Sequence, residues 1–207
     1  MSNPTTTATG STCDPQTRVT KTLLAYGAIA GPTYLVVSLA QALTRDGFDL
    51  SRHAWSLLSN GSLGWIQITN FVLAGLMTFA FAVGLRRILV SGPAATWAPR
   101  LVGVFGASLV GAGVFVADPA QGFPPGTAPD AAEVSWHGMA HFLCGVIGFG
   151  CLVVACFLLA RRLGAEGRTD WARYARVAGG ALAVGFVAVA AGGGATWANL
   201  SFVAAVG

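Results

Sequence analysis

The chain has 207 residues, of which 54% are hydrophobic and 10% charged, with a net charge of +4. Soluble globular domains carry about 25% charged residues, so a deficit this large excludes a chain that mostly faces water. The small basic excess flanks apolar runs, as membrane anchoring requires, and does not point to nucleic acid.

Residues 1–21 open MSNPTTTATGSTCDPQT and are polar and rich in Thr, Ser and Pro. They predict a short disordered cytoplasmic tail. The first apolar run begins only after Lys21 and is too long for a signal-peptide core. Residues 22–207 then predict one transmembrane domain. A span needs roughly 20 apolar residues. Five runs qualify: 22–43, 63–85, 101–117, 136–160 and 177–197, the third being short enough to begin earlier. The runs are continuous rather than alternating, so the fold class is all-α, a polytopic transmembrane helix bundle. The apolar tail after residue 199 is too short to cross again.

The first connection, GFDLSRHAWSLLSNGSLGW, predicts a short helix capped by Asp49 or Ser51 and ending near Asn60 and Gly61. With Leu50, Ala54, Leu57 and Leu58 on one face and His53, Ser56 and Asn60 on another, it would rest in the headgroup layer. The third connection, DPAQGFPPGTAPDAAEVS, is long and rich in Pro and Gly, as a lid or a loose loop would be. Of the 12 lysines and arginines, all but Arg45 and Arg52 fall in the tail and the second and fourth connections. The positive-inside rule then places the N-terminus in the cytoplasm of a cell with this chain in its inner membrane. All six tryptophans lie near span ends, where an indole prefers to sit.

Small residues mark packing faces: Gly27 and Gly31; Gly103, Ala107 and Gly111; Gly138, Gly145 and Gly148; Gly185 and 192–194. Such faces also fit a homo-oligomer, the partner expected beside membrane lipid. Pro32 should kink the first span. Three of the four cysteines lie in one run and cannot pair with each other.

Two of the three histidines stand four apart in SWHGMAHF, at the outward end of the fourth span. Residues i and i+4 share a helix face, with β-carbons about 5–6 Å apart, and can hold one metal. His53, His137 and His141 are therefore the candidate ligands of an outward-facing site. Asp118 is its candidate fourth ligand or catalytic base. Ser56, Gln67 and Asn70 are candidate polar lining, with Ser38 and Gln41 at similar depth. Zinc is the expected metal, since it would lower the pKa of a bound water to about 7. The same residues are also explained by helix capping and interhelical hydrogen bonding, and the metal and the structural readings stay open.

The segments DLSRHAWSLLSNGSLGWIQ, GLRR, GVFVADPAQGFPPGT and WHGMAH resemble the bacterial membrane proteins grouped as domain of unknown function 998. The resemblance runs from about residue 23 to the end of the sequence. It implies a multi-pass inner-membrane protein whose relatives usually continue into a further helix, so a five-span bundle and a truncated six-span unit both stay open. It implies no activity. A more distant likeness is to seven-helix membrane hydrolases related to alkaline ceramidases, which use three histidines and an aspartate; His53, Asp118, His137 and His141 would match those roles. The expected function is a membrane protein with an outward polar site, in its sharper form a metal-dependent hydrolase. A small transporter or a non-catalytic assembly protein is the alternative.

Overall fold

The computed structural model describes residues 14–129, 134–192, 196–197 and 200–201. Its elements are α1 (Pro15–Thr44), a 3₁₀ turn (Trp55–Ser59), α2 (Gly64–Ile88), α3 (Pro93–Val114), α4 (Trp136–Ala165) and α5 (Thr169–Gly192). No strand occurs among the described residues. Five of the helices are long and apolar enough to cross a membrane. At a rise of about 1.5 Å per residue even the shortest, α3, reaches roughly 33 Å, against a hydrocarbon core of about 30 Å. Val36, Leu43, Leu76 and Val184 are among many large apolar side chains left exposed on the helix flanks. A water-facing surface would not carry so much of them, and lipid is the solvent that suits them.

The boundaries differ from the sequence expectation in ways that local chemistry explains. Helix α1 starts at Pro15, so 15–21 are helical rather than part of a disordered tail. Asp14 accepts from the Thr17 N–H at 3.3 Å and Pro15 takes the first helical position, where its missing N–H is harmless. The tail's remaining residues, 1–13, lie outside the described residues. Pro32 sits inside α1 without ending it. Helix α3 begins at Pro93, behind Gly92 at φ 83°, and so takes in Trp97 and Arg100. Helix α5 begins at Thr169, which makes Arg173 and Arg176 helical too. Most of the segment after Gly192 lies outside the described residues, although Trp197, the expected end of the fifth span, is among those described.

Packing runs α1–α2, α2–α3, α3–α4 and α4–α5, each helix lying on its neighbour in sequence. Lipid gives helices no hydrophobic reason to associate, so close backbone approach must supply the attraction. The α2–α3 seam shows it: a β-carbon on Gly75 would strike the Gly106 carbonyl, and one on Gly106 would strike the Gly75 carbonyl and the Phe79 N–H. Gly27 makes room for the Phe81 ring, and Gly148 for Ser108 and Phe105. Gly31, by contrast, has open space beside it. Cys144, Cys151 and Cys156 are free thiols.

The alternating helices sort the charges. Arg162 at the end of α4 donates to the Ser91 carbonyl at 2.6 Å, and Arg86 at the end of α2 donates to the Ala95 carbonyl at 3.2 Å. These bonds gather the arginine-rich termini at one end of the bundle. The 45–63 and 115–135 connections meet at the other.

Candidate functional site

At the loop end, the first connection does not lie flat as an amphipathic helix. Asp49 closes a tight turn instead, accepting from the Ser51 N–H at 2.8 Å and the Ser51 hydroxyl at 2.7 Å, and these bonds hold its carboxyl below the usual range. The 3₁₀ turn that follows tucks into the bundle, burying Leu57 and Leu58 with Ala42, Ala117 and Phe123. The intended polar face is buried as well, since His53 and Asn60 are 3% and 9% exposed. Arg45 makes this affordable by donating to the Leu58 and Asn60 carbonyls at 2.5 and 2.6 Å while stacking over the Phe123 ring at 5.1 Å. Asn60 donates to the Ala117 carbonyl at 3.0 Å, tying the two connections together.

Each histidine has a definite employment. The Asp49 N–H donates to His53 Nδ1 at 2.9 Å, so the His53 proton sits on Nε2 and is donated to the Gln121 carbonyl at 3.0 Å. Both ring nitrogens are thereby committed to backbone. His141 Nδ1–H is shared between the Ala112 and Phe115 carbonyls at 2.9 and 2.8 Å, and His137 Nδ1–H between the Ser135 hydroxyl at 2.9 Å and the Val116 carbonyl at 3.2 Å. The pair does share one face of α4. That face addresses the end of α3, whose last carbonyls have no intrahelical donor and would be costly to leave bare in a bilayer.

These bonds do not bring the three histidines expected from the sequence together around one centre. Among the described residues no three His, Cys, Asp or Glu side chains gather as a metal site would need. The physical reason is the loss of the His53 lone pair to the Asp49 N–H. The likeness to the histidine-ligated membrane hydrolases ends at the same residue.

Asp118 accepts from the Ser135 hydroxyl at 2.5 Å and the Ser135 N–H at 2.8 Å, with His137 Nδ1 3.6 Å away. Ser135 in turn caps α4 by accepting from the Gly138 N–H at 3.0 Å. Partial burial opposes the charge on Asp118, but the two bonds from Ser135 and the nearby His137 and His141 rings outweigh it and hold the carboxyl below the usual range. A carboxylate stabilised in its charged form is a weak proton acceptor, which speaks against the expected role as catalytic base. Gly138 lies so close that a β-carbon there would collide with the carboxylate.

Gln67 and Asn70, expected to line the site, instead join α2 to α1. Gln67 Oε1 accepts from Gln41 Nε2 at 2.8 Å and Ser38 Oγ at 3.3 Å; Asn70 Nδ2 donates to the Tyr34 carbonyl and Ser38 Oγ, both at 3.1 Å. This is interhelical adhesion in a dry seam, and Gln67 is fully buried.

Ser56 does line something: a cavity of about 640 Å³ bounded by all five helices and both connections. That volume lies within the range of about 300–1,000 Å³ typical of small-molecule sites. Its walls are mainly apolar, from Ala30 and Gly31 through Phe71, Phe105 and Leu109 to Phe149, Leu152 and Phe186. Its polar groups concentrate at the loop end, where Arg52, Trp55, Ser56, Asp118, Gln121 and His141 contribute. Toward the arginine end it reaches Tyr174 and Ala178 near the start of α5. Trp55 is the residue that the sequence placed with the interfacial tryptophans; it is 6% exposed, whereas Trp65, Trp97, Trp136, Trp171 and Trp197 are each more than half exposed.

The model of the family described as protein of unknown function (DUF998) matches residues 28–207. The chain belongs to the DUF998 family. This DUF998 protein is accordingly a membrane protein with five candidate spans, as its exposed apolar flanks require. No curated protein and no solved structure matches the chain.

Proposed function

We propose that this DUF998 protein sits in the inner membrane with its N-terminus in the cytoplasm and binds a single-chain amphiphile in the cavity between its helices. The apolar tail would lie along the bundle and the polar head would meet the loop end at the outer leaflet. The observation that carries this reading is the cavity's division: its walls are mainly apolar along its length, with Thr78, Ser108 and Tyr174 as scattered polar exceptions, and its charged groups, Arg52 and Asp118, lie at the loop end with Trp55, Ser56 and Gln121. The orientation rests on the arginine-rich opposite end. Metal-dependent hydrolysis loses its support once both His53 nitrogens are bonded to backbone.

Photo-crosslinking in vesicles with a diazirine-bearing fatty chain tests the reading. Labels should fall on cavity residues such as Phe105, Leu109 and Leu152. The Gly31→Leu variant, at a position where an added β-carbon meets nothing within 4 Å, should fold normally and lose most of that labelling. Labels confined to the outward helix faces, unchanged by Gly31→Leu, would overturn it. Passage between leaflets is a second reading, favoured by the cavity's reach from Asp118 to Tyr174. A lipid-translocation assay in proteoliposomes separates holding from carrying.

A further inference from the structure

The loop end of the cavity holds a donor and an acceptor that the fold leaves unsatisfied. Among the described residues Trp55 Nε1 and Gln121 Oε1 are both buried without a hydrogen-bond partner, and both residues line the cavity. An unmet polar group at such a site carries a desolvation penalty, so each calls for an explanation. Gln121 is, moreover, at φ 56°, a left-handed conformation uncommon outside Gly, Asn and Asp. The His53 ring holds that backbone in place by donating to its carbonyl. The histidine read from the sequence as a metal ligand thus positions a residue of the cavity wall. The neighbouring charges are one of each sign, Arg52 and Asp118.

Resting on the amphiphile reading above, we infer that the cavity selects an uncharged hydroxyl head group, of the long-chain alcohol or acylglycerol class. Such a head accepts from the Trp55 indole and donates to the Gln121 amide oxygen at once. A phosphate diester offers acceptors only and leaves Gln121 unmet. An ammonium offers donors only and leaves Trp55 unmet. A hydrocarbon satisfies neither. The balance of Arg52 against Asp118 likewise gives no net charge for an ionic head to oppose. Tyr34 packs its ring against Trp55 with centroids 6.1 Å apart, so the indole is held rather than free to turn away.

A chain-matched series tests the inference on the purified full chain in lipid nanodiscs: oleyl alcohol, 1-octadecene, oleyl methyl phosphate and oleylamine, each measured by equilibrium retention. Oleyl alcohol should bind about tenfold more tightly than any of the other three. Trp55→Phe should shrink its advantage over 1-octadecene to within about threefold. Oleyl methyl phosphate or oleylamine binding as tightly as the alcohol overturns the head-group assignment. Equal retention of all four in the unaltered protein overturns it too, as expected if a trapped water satisfies both groups, yet leaves the amphiphile reading standing. No retention of any of them removes both.

Discussion

Single residues at the loop end make the sharpest predictions. Asp118 is held ionised by Ser135, and its lowered pKa fixes the sign of a pH effect. The carboxylate contributes stability that is complete above its unfolded value, about 3.9, and is lost as pH falls through its folded value. In detergent melts, the gap in stability between the unaltered protein and Asp118→Asn should hold steady from pH 7 to pH 5 and close below about pH 4. A gap that widens on acidification would contradict the assignment. Gly138→Ala forces a methyl group onto the same carboxylate and should lower stability by about 1–3 kcal/mol. The histidines invite a direct check by mass-spectrometric metal content: stoichiometric zinc should be absent, and His141→Ala should leave metal content unchanged. That variant should still melt earlier, because it strips the donor from the Ala112 and Phe115 carbonyls.

At the scale of helices, two seams hold the bundle by different means. The α1–α2 seam uses hydrogen bonds among Ser38, Gln41, Gln67 and Asn70. Gln67→Leu removes the hub of that network and strands its partners in a dry interface. It should cost about 1–3 kcal/mol, more than a typical interhelical bond in a membrane, because several groups lose a partner together. Asn70→Leu should act less strongly, since it removes one donor rather than the shared acceptor. The α2–α3 seam uses backbone proximity at Gly75 and Gly106. Gly106→Leu cannot be relieved by a rotamer change, because the obstructing atoms are main chain. Reversible unfolding in mixed micelles compares the two, and the Gly106 variant should be the more damaged. The sequence pointed to Gly103, Ala107 and Gly111 on α3, one face round from Gly106. Periodicity finds a stripe of small residues, but which member meets the neighbouring backbone depends on the crossing geometry.

Over the whole molecule, sidedness is the claim with the widest consequences. Single cysteines introduced at Ser51 and Thr127 should react with an impermeant maleimide added outside intact cells, and one at Arg87 should react only after permeabilisation. The reverse pattern would move the polar mouth of the cavity to the cytoplasmic leaflet. Composition and run length were enough to determine five apolar helices, and motif pattern enough to determine the family, because a bilayer accepts few backbone solutions and demands long apolar segments. Helix starts were written locally too, in Asp14–Pro15 and in Ser135. The employment of the polar side chains was not. Whether His53 presents a lone pair to a metal or accepts from the Asp49 N–H, and whether Trp55 lies at the interface or inside, depends on how the first connection folds back onto the third. Those contacts join residues about seventy positions apart, as His53 and Gln121 are. One sequence records which groups can donate and accept; only the packed chain decides which of them meet, and leaves the cavity where the remainder do not.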